Sequence, residues 1–269
     1  MIENMINFLK EKLELKNPKT AIILGSGLGG LVDVLENTKK IPYNKIEGFP
    51  QSTVKGHKGE LIRGFINNKE VLCLNGRFHL YEGHDPKVIA DVIHVLKELG
   101  IKRLIVTNAA GSLNLETKPG SIMLISDHIN FSGKNPLVGP NDEKYGPRFP
   151  SMNNAYTLSL RQKCKDIAKE LGIELKEGVY LMVLGPNFET SAEIKAFQIL
   201  GADAVGMSTV PEVISASHCS MEVLGFSVIT NYGAGLIDNT PSHKETLEEA
   251  NKASEKLIKL VTEFVKQGG

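Results

Sequence analysis

Thr20-Ala21-Ile22-Ile23-Leu24-Gly25-Ser26-Gly27-Leu28-Gly29-Gly30 is a short apolar run that stops in a cluster of glycines. A run of five apolar or β-branched residues is too short for a buried helix and reads as a buried strand. Strand, glycine turn and a following helical segment together predict an α/β unit. Backbone N–H groups exposed at such a turn make an anion site. Gly25, Gly27 and Gly30 also satisfy G-x-G-x-x-G, so a dinucleotide site is a competing reading, as is a tight turn with no ligand. The dinucleotide reading wants an acid about 20 residues on. That region reads Lys40-Ile41-Pro42-Tyr43-Asn44-Lys45, with no acid until Glu47.

Outward from this stretch, strand-like runs alternate with amphipathic ones. Residues 60–66 and 70–74 flank Asn67-Asn68, a hairpin signal. Strands are expected at 103–107, 122–125, 179–184, 204–207 and 223–230. Helices are expected at the N-terminus and at 86–99, 155–171, 191–200, 211–219 and 243–265, with Pro86 starting one and Gly172 stopping another. This alternation favours one mixed sheet covered by helices, and a single domain over residues 1–269. Residues 132–150 break the pattern with Pro136, Pro140, Pro147 and Pro150. A long structureless loop in a compact domain is either functional or a surface excursion.

Composition narrows the function classes. The 269 residues carry 31 Lys+Arg and 31 Asp+Glu, a formal net charge of zero, with 6% aromatics and no Trp. A nucleic-acid partner is not expected without a basic excess. Cys73, Cys164 and Cys219 form no CxxC pair, so neither a disulfide framework nor a zinc cluster is suggested. No run approaches the roughly 20 apolar residues of a membrane span. A cytoplasmic protein without a membrane partner is the expectation.

Several strand exits carry chemistry. If 76–83 stays extended, Arg77, His79 and Tyr81 share a face; Arg supplies a fork for phosphate and His a titratable donor. Thr107-Asn108-Ala109-Ala110-Gly111 ends a strand with small residues that let backbone N–H groups approach a ligand. Glu189 follows Phe188 at another exit; it reads equally as a ligand group or as an acid in the first turn of the next helix. Ser208, taken alone, reads as a helix N-cap.

The ordered set GSGLGG, STVKGHKGE, GRFHLYEG, VTNAAGSL, DHINFSGKNPLVGPND, RFPSM, VLGPNFET, GADAVGMSTVPEV and TN followed by AG resembles the trimeric purine nucleoside phosphorylases. The resemblance runs from residue 20 to 235. It implies a partly barrel-like mixed sheet and phosphorolysis of purine nucleosides, with no organic or metal cofactor and inorganic phosphate as co-substrate. Phosphate would be held by Ser26, His57, Arg77, His79, the backbone at Ala109, and Ser208. Tyr81, Met207 and His243 would contact ribose. Phe188 and Val205 would flank the purine, and Glu189 and Asn231 would read it. Asn231, His79 and Glu189 would carry catalysis. Phe149 would reach the neighbouring site of a homotrimer. The segment between Asn231 and His243 matches least well. A sister activity on methylthioadenosine would show Asp in place of Asn231 and an apolar group in place of His243, and neither is present.

Overall fold

The computed structural model describes residues 2–25, 28–52, 58–237 and 243–268, apart from the side chains of residues 2 and 243–250. Among these residues nine strands form one sheet: β1 (Thr20–Ile23), β2 (Glu36–Pro42), β3 (Glu60–Ile66), β4 (Lys69–Asn75), β5 (Arg103–Ser112), β6 (Ile122–Asn130), β7 (Lys176–Met182), β8 (Ala204–Gly206) and β9 (Glu222–Tyr232). Among the described residues six helices accompany them: α1 (Ile2–Leu13), α2 (Pro86–Glu98), α3 (Leu158–Glu170), α4 (Ser191–Ile199), α5 (Val210–His218) and α6 (His243–Lys266). The expected hairpin is β3–β4, antiparallel, with Asn67 and Asn68 both at positive φ in its turn.

Strand order is β2-β3-β4-β1-β5-β8-β7-β6-β9, and β5 also pairs with β9. That extra ladder closes β5, β8, β7, β6 and β9 into a ring, from which β1, β4, β3 and β2 extend as an open sheet. Within the described sheet, β2 is the open edge.

Alternation along β1 shows why both faces must be covered. Ala21 and Ile23 point into one apolar cluster, with residues of α1, α2 and α5. Ile22 and Leu24 point into the other, with residues of α3 and α6. All four residues of β1 are buried, as expected of a strand flanked by parallel neighbours with helices on both sides. Asp85 caps α2, its Oδ1 accepting from Lys87 N at 2.8 Å, with Pro86 following.

The glycine turn leads into a six-residue 3-10 turn, Gly29–Val34, where an ordinary helix was expected. No strand was expected at β2, whose polar residues give little periodic signal. Residues 131–157 contain no helix or strand; this takes in the expected loop at 132–150, and α3 begins at Leu158 rather than at 155. No helix among the described residues is long and apolar enough to cross a membrane.

Candidate active site

A cavity of about 470 Å³ opens where β5, β8 and β9 of the ring end. Its size suits a small organic ligand. Arg77, His79, Tyr81, Ala109 and Ser208 line it, as do Phe188, Glu189, Val205, Met207 and Asn231. These ten residues come from five separate strand exits. Ser26 and His57 lie outside the described residues, as does the side chain of His243, whose backbone begins α6. Phe149 does not line this cavity; its side chain is 89% exposed, in the long loop.

Arg77 is fully buried and held from three directions. Its Nε donates to Glu212 Oε1 at 3.0 Å, and Nη1 donates to Thr107 O at 2.7 Å and to Ser208 Oγ at 3.0 Å. Glu212 is itself buried on α5. A buried guanidinium needs such a carboxylate, because an uncompensated buried charge is costly.

The condition that 76–83 stays extended is not met: Gly76 is a bend at φ 129°, and after the extended His79 the chain turns. Leu80–Glu82 is a 3-10 turn, in which Glu82 Oε1 accepts from His79 N at 2.8 Å and pairs with His79 Nδ1 at 3.1 Å. The turn brings Tyr81 back over His79, with ring centroids 4.7 Å apart and planes 16° from parallel. Burial raises the Tyr81 hydroxyl pKa, with the Glu82 charge acting in the same direction, so this hydroxyl keeps its proton and can donate.

The helix starts decide the two ambiguous residues. Thr190 is the N-cap of α4, its Oγ1 accepting from Glu193 N while Glu193 Oε2 accepts from Thr190 N at 2.7 Å. Glu193 is therefore the first-turn acid, and Glu189 precedes the helix and lines the cavity. Burial raises the Glu189 carboxyl pKa, with the Glu193 charge adding to it and a backbone hydrogen bond acting against both. Thr209, at φ 76°, is the N-cap residue of α5, so Ser208 stands before the helix with its hydroxyl on Arg77. The Ser208 N–H donates to Tyr180 Oη at 3.3 Å.

Asn231 is aimed by a bulge. Ala110 pairs with Ile229 and Gly111 with Asn231, which leaves Thr230 as the extra residue of β9. A bulge re-aims side chains near a site, and here both Thr230 and Asn231 line the cavity despite being adjacent. Thr230 Oγ1 donates to Asn231 Oδ1 at 2.8 Å, and Asn231 Nδ2 donates to Tyr232 O at 3.0 Å. An amide has two donors and two acceptor positions, so one of each remains for a ligand.

Sequence reasoning assigned no role to Glu82, Glu212, Tyr180 or Asn108. Asn108 is buried, its Nδ2 donating to Thr209 Oγ1 at 2.9 Å. Glu82 and Glu212 sit inside quoted motifs; the one available signal was the three-residue spacing of His79 and Glu82, which suits a capping box.

Residues 19–266 match the family described as the phosphorylase superfamily. The chain is 48% identical to purine nucleoside phosphorylase 1 of Geobacillus stearothermophilus over 265 residues, covering 98% of this chain and 96% of that protein. Its fold is similar to that of Schistosoma mansoni purine nucleoside phosphorylase solved with adenosine, at TM-score 0.92 and 38% identity, covering 99% and 96% of the two chains. Isoform 2 from Schistosoma mansoni, solved with cytosine and ribose-1-phosphate, is similar at TM-score 0.92 and 39% identity, covering 99% and 95%. With this coverage, and with ten motif residues meeting at one cavity, the chain belongs to the phosphorylase superfamily and, within it, to the purine nucleoside phosphorylases.

Proposed function

We propose that this enzyme cleaves purine ribonucleosides and deoxyribonucleosides with inorganic phosphate, preferring 6-oxopurines, and serves purine salvage in the cytoplasm. One observation carries the reading: a single cavity joins a fixed Arg–His–Ser cluster to an amide and a carboxylate suited to a purine edge. In the reaction the bond between the anomeric carbon and the purine nitrogen breaks and a carbon–oxygen bond to phosphate forms. Free base and (deoxy)ribose 1-phosphate are released. The transition state has the oxocarbenium character of glycoside cleavage. Because phosphate is the nucleophile, no covalent intermediate and no cofactor is required.

Arg77, His79, Ser208 and the Ala109 backbone would bind phosphate, with Ser26 and His57 assigned there by the resemblance. Glu82 would hold the His79 ring in place next to the anion. Tyr81 and Met207 would flank the sugar with His243, and Phe188 and Val205 the base. As charge develops on the purine, Asn231 would give a hydrogen bond to O6 and accept one from protonated N7. Glu189, as carboxylate, would accept from N1–H. The active form would be a homotrimer in which Phe149 covers a neighbour's site.

The deciding experiment is base release from inosine with and without phosphate. Release that needs phosphate and yields ribose 1-phosphate is the expected result. Equal release in phosphate-free buffer with free ribose as product would make the enzyme a hydrolase and overturn the proposal.

A further inference from the structure

Away from the active site, α2, α5 and the Pro-rich loop meet around His94, His218 and Cys219. One ring nitrogen of each histidine and Cys219 Sγ all lie within 4.8 Å of one another, the one such His/Cys/carboxylate group among the described residues. We propose that this cluster is a binding site for a thiophilic divalent cation of the zinc class, bracing the loop against the two helices.

The state of the two imidazoles carries the proposal. His94 Nε2 and His218 Nδ1 are buried and have no hydrogen-bond partner among the described residues. Buried polar atoms of this kind are rare and need an explanation. The opposite nitrogen of each ring is oriented: His218 Nε2 lies 3.1 Å from Asn141 Oδ1, and His94 Nδ1 lies 3.8 Å from Asp91 Oδ1. An Nε2–H donated to Asn141 leaves the His218 Nδ1 lone pair available. Metal-bound histidines show this arrangement, one nitrogen on the ion and the other turned to an amide or carboxylate oxygen.

Geometry and charge fit the ion class. Two imidazoles and a thiolate suit zinc, whose bonds are about 2.0–2.1 Å to nitrogen and about 2.3 Å to sulfur. Ligand atoms then sit about 3.3–3.7 Å apart around a tetrahedral ion, so atoms already within 4.8 Å of one another need contract by at most roughly 1.5 Å. A cavity of about 180 Å³ bordered by His94, His218, Asp91, Asn141 and Asp142 lies beside the cluster. The walls are tied down. His94 stacks on Tyr145 of the loop, centroids 3.7 Å apart and planes 5° from parallel. Gly146 lies so close to His218 O that a Cβ there would overlap it. Binding replaces the Cys219 S–H bond with a sulfur–metal bond and releases that proton to solvent; no redox change occurs.

The test uses the full chain, stripped with a chelator and titrated with Co²⁺ and then Zn²⁺. Wild type should take up one Co²⁺ equivalent with a near-ultraviolet thiolate-to-cobalt charge-transfer band, which Zn²⁺ abolishes, and saturating Zn²⁺ should raise Tm. Cys219→Ser should lose the band and His94→Gln should weaken Co²⁺ binding at least tenfold. Both variants should keep metal-free activity and near-ultraviolet dichroism, because neither residue lines the catalytic cavity. If Cys219→Ser does not fold, the affinity of His94→Gln decides. Absence of the band in wild type, its survival in Cys219→Ser, or unchanged affinity in His94→Gln would overturn the proposal.

Discussion

Arg77 Nε and Glu212 Oε1 lie 3.0 Å apart, and both side chains are buried. The pair joins the chain after β4 to α5 and holds the guanidinium beside Ser208. Arg77→Ala should therefore raise the phosphate KM at least tenfold while moving the nucleoside KM much less, since a lost fork leaves anion charge unmatched. Glu212→Ala should cost about 3–5 kcal/mol of stability, because it strands a buried charge. Initial rates against phosphate and chemical denaturation measure the two effects; an unchanged phosphate KM in Arg77→Ala removes that residue from the phosphate subsite.

The raised pKa of Glu189 sets a direction for pH dependence. Below its pKa the group is a neutral acid and a much weaker acceptor for N1–H; above it the carboxylate accepts with the charge-assisted strength of an ionised group. The kcat/KM for inosine should fall on the acid side, with an apparent pKa above the ~4.3 of a free glutamate. Glu189→Gln should lower the plateau and remove that acid limb. A limb that persists in the variant belongs to another group.

Asn231 should govern the choice between 6-oxo and 6-amino bases. Adenosine presents the 6-amino group and a protonated N7, both donors, where Asn231 offers one donor and one acceptor. The mismatch is worth about 1–3 kcal/mol. Asn231→Asp should lower kcat/KM for inosine and raise it for adenosine. The ratio of the two values in wild type and variant is the measurement, and a ratio that stays put defeats the base-recognition reading.

Phe149 is exposed in the single chain, as a residue serving a neighbouring copy would be. Phe149→Ala should raise the nucleoside KM more than the phosphate KM, and sedimentation should give a trimer. A fully active monomer contradicts both expectations.

Gly25 sits where β1 hands over to the glycine turn. A Cβ there would lie 2.5 Å from Thr107 O and 2.7 Å from Asn108 Cα, both backbone atoms that cannot swing aside. Gly25 N also donates to Thr107 Oγ1 at 3.0 Å. Gly25→Ala should destabilise the protein by about 1–3 kcal/mol or more and shift residues 107–109 of the cavity wall. A variant with wild-type Tm and phosphate KM would show that the approach can relax.

Period and punctuation made much of the fold legible in the sequence: the alternating strands and helices, the Asn67-Asn68 hairpin and the Pro86 helix start can each be read within a few residues. Strand β2 cannot, because Glu36, Asn37, Thr38, Lys39 and Lys40 leave no apolar alternation to detect. The closure of the ring through β5 and β9 is non-local, and it was expected from the family resemblance rather than from any local signal.

Within the site, the polar groups at strand exits were visible as residue types, but their roles depended on neighbours far away in sequence. Glu212 meets Arg77 across 135 positions. The bulge that re-aims Asn231 exists only as a slip between two paired strands. The His94–His218–Cys219 cluster is invisible to a search for CxxC spacing, because α2 and α5 bring it together only in the folded chain.

Closing the ring removes strand edges from five of the nine strands, which concentrates the risk of runaway self-pairing on β2. That strand is poorly suited to recruit another chain. Its register slips between Glu36 and Lys39, Lys39 and Lys40 put charged side chains along it, paired with Glu14 and Glu60, and Pro42 lacks an N–H to offer. Charge, irregularity and proline are the devices that blunt open sheet edges against aggregation. The same polar run that hides β2 from pattern reading is thus what makes the open edge a poor template for another chain.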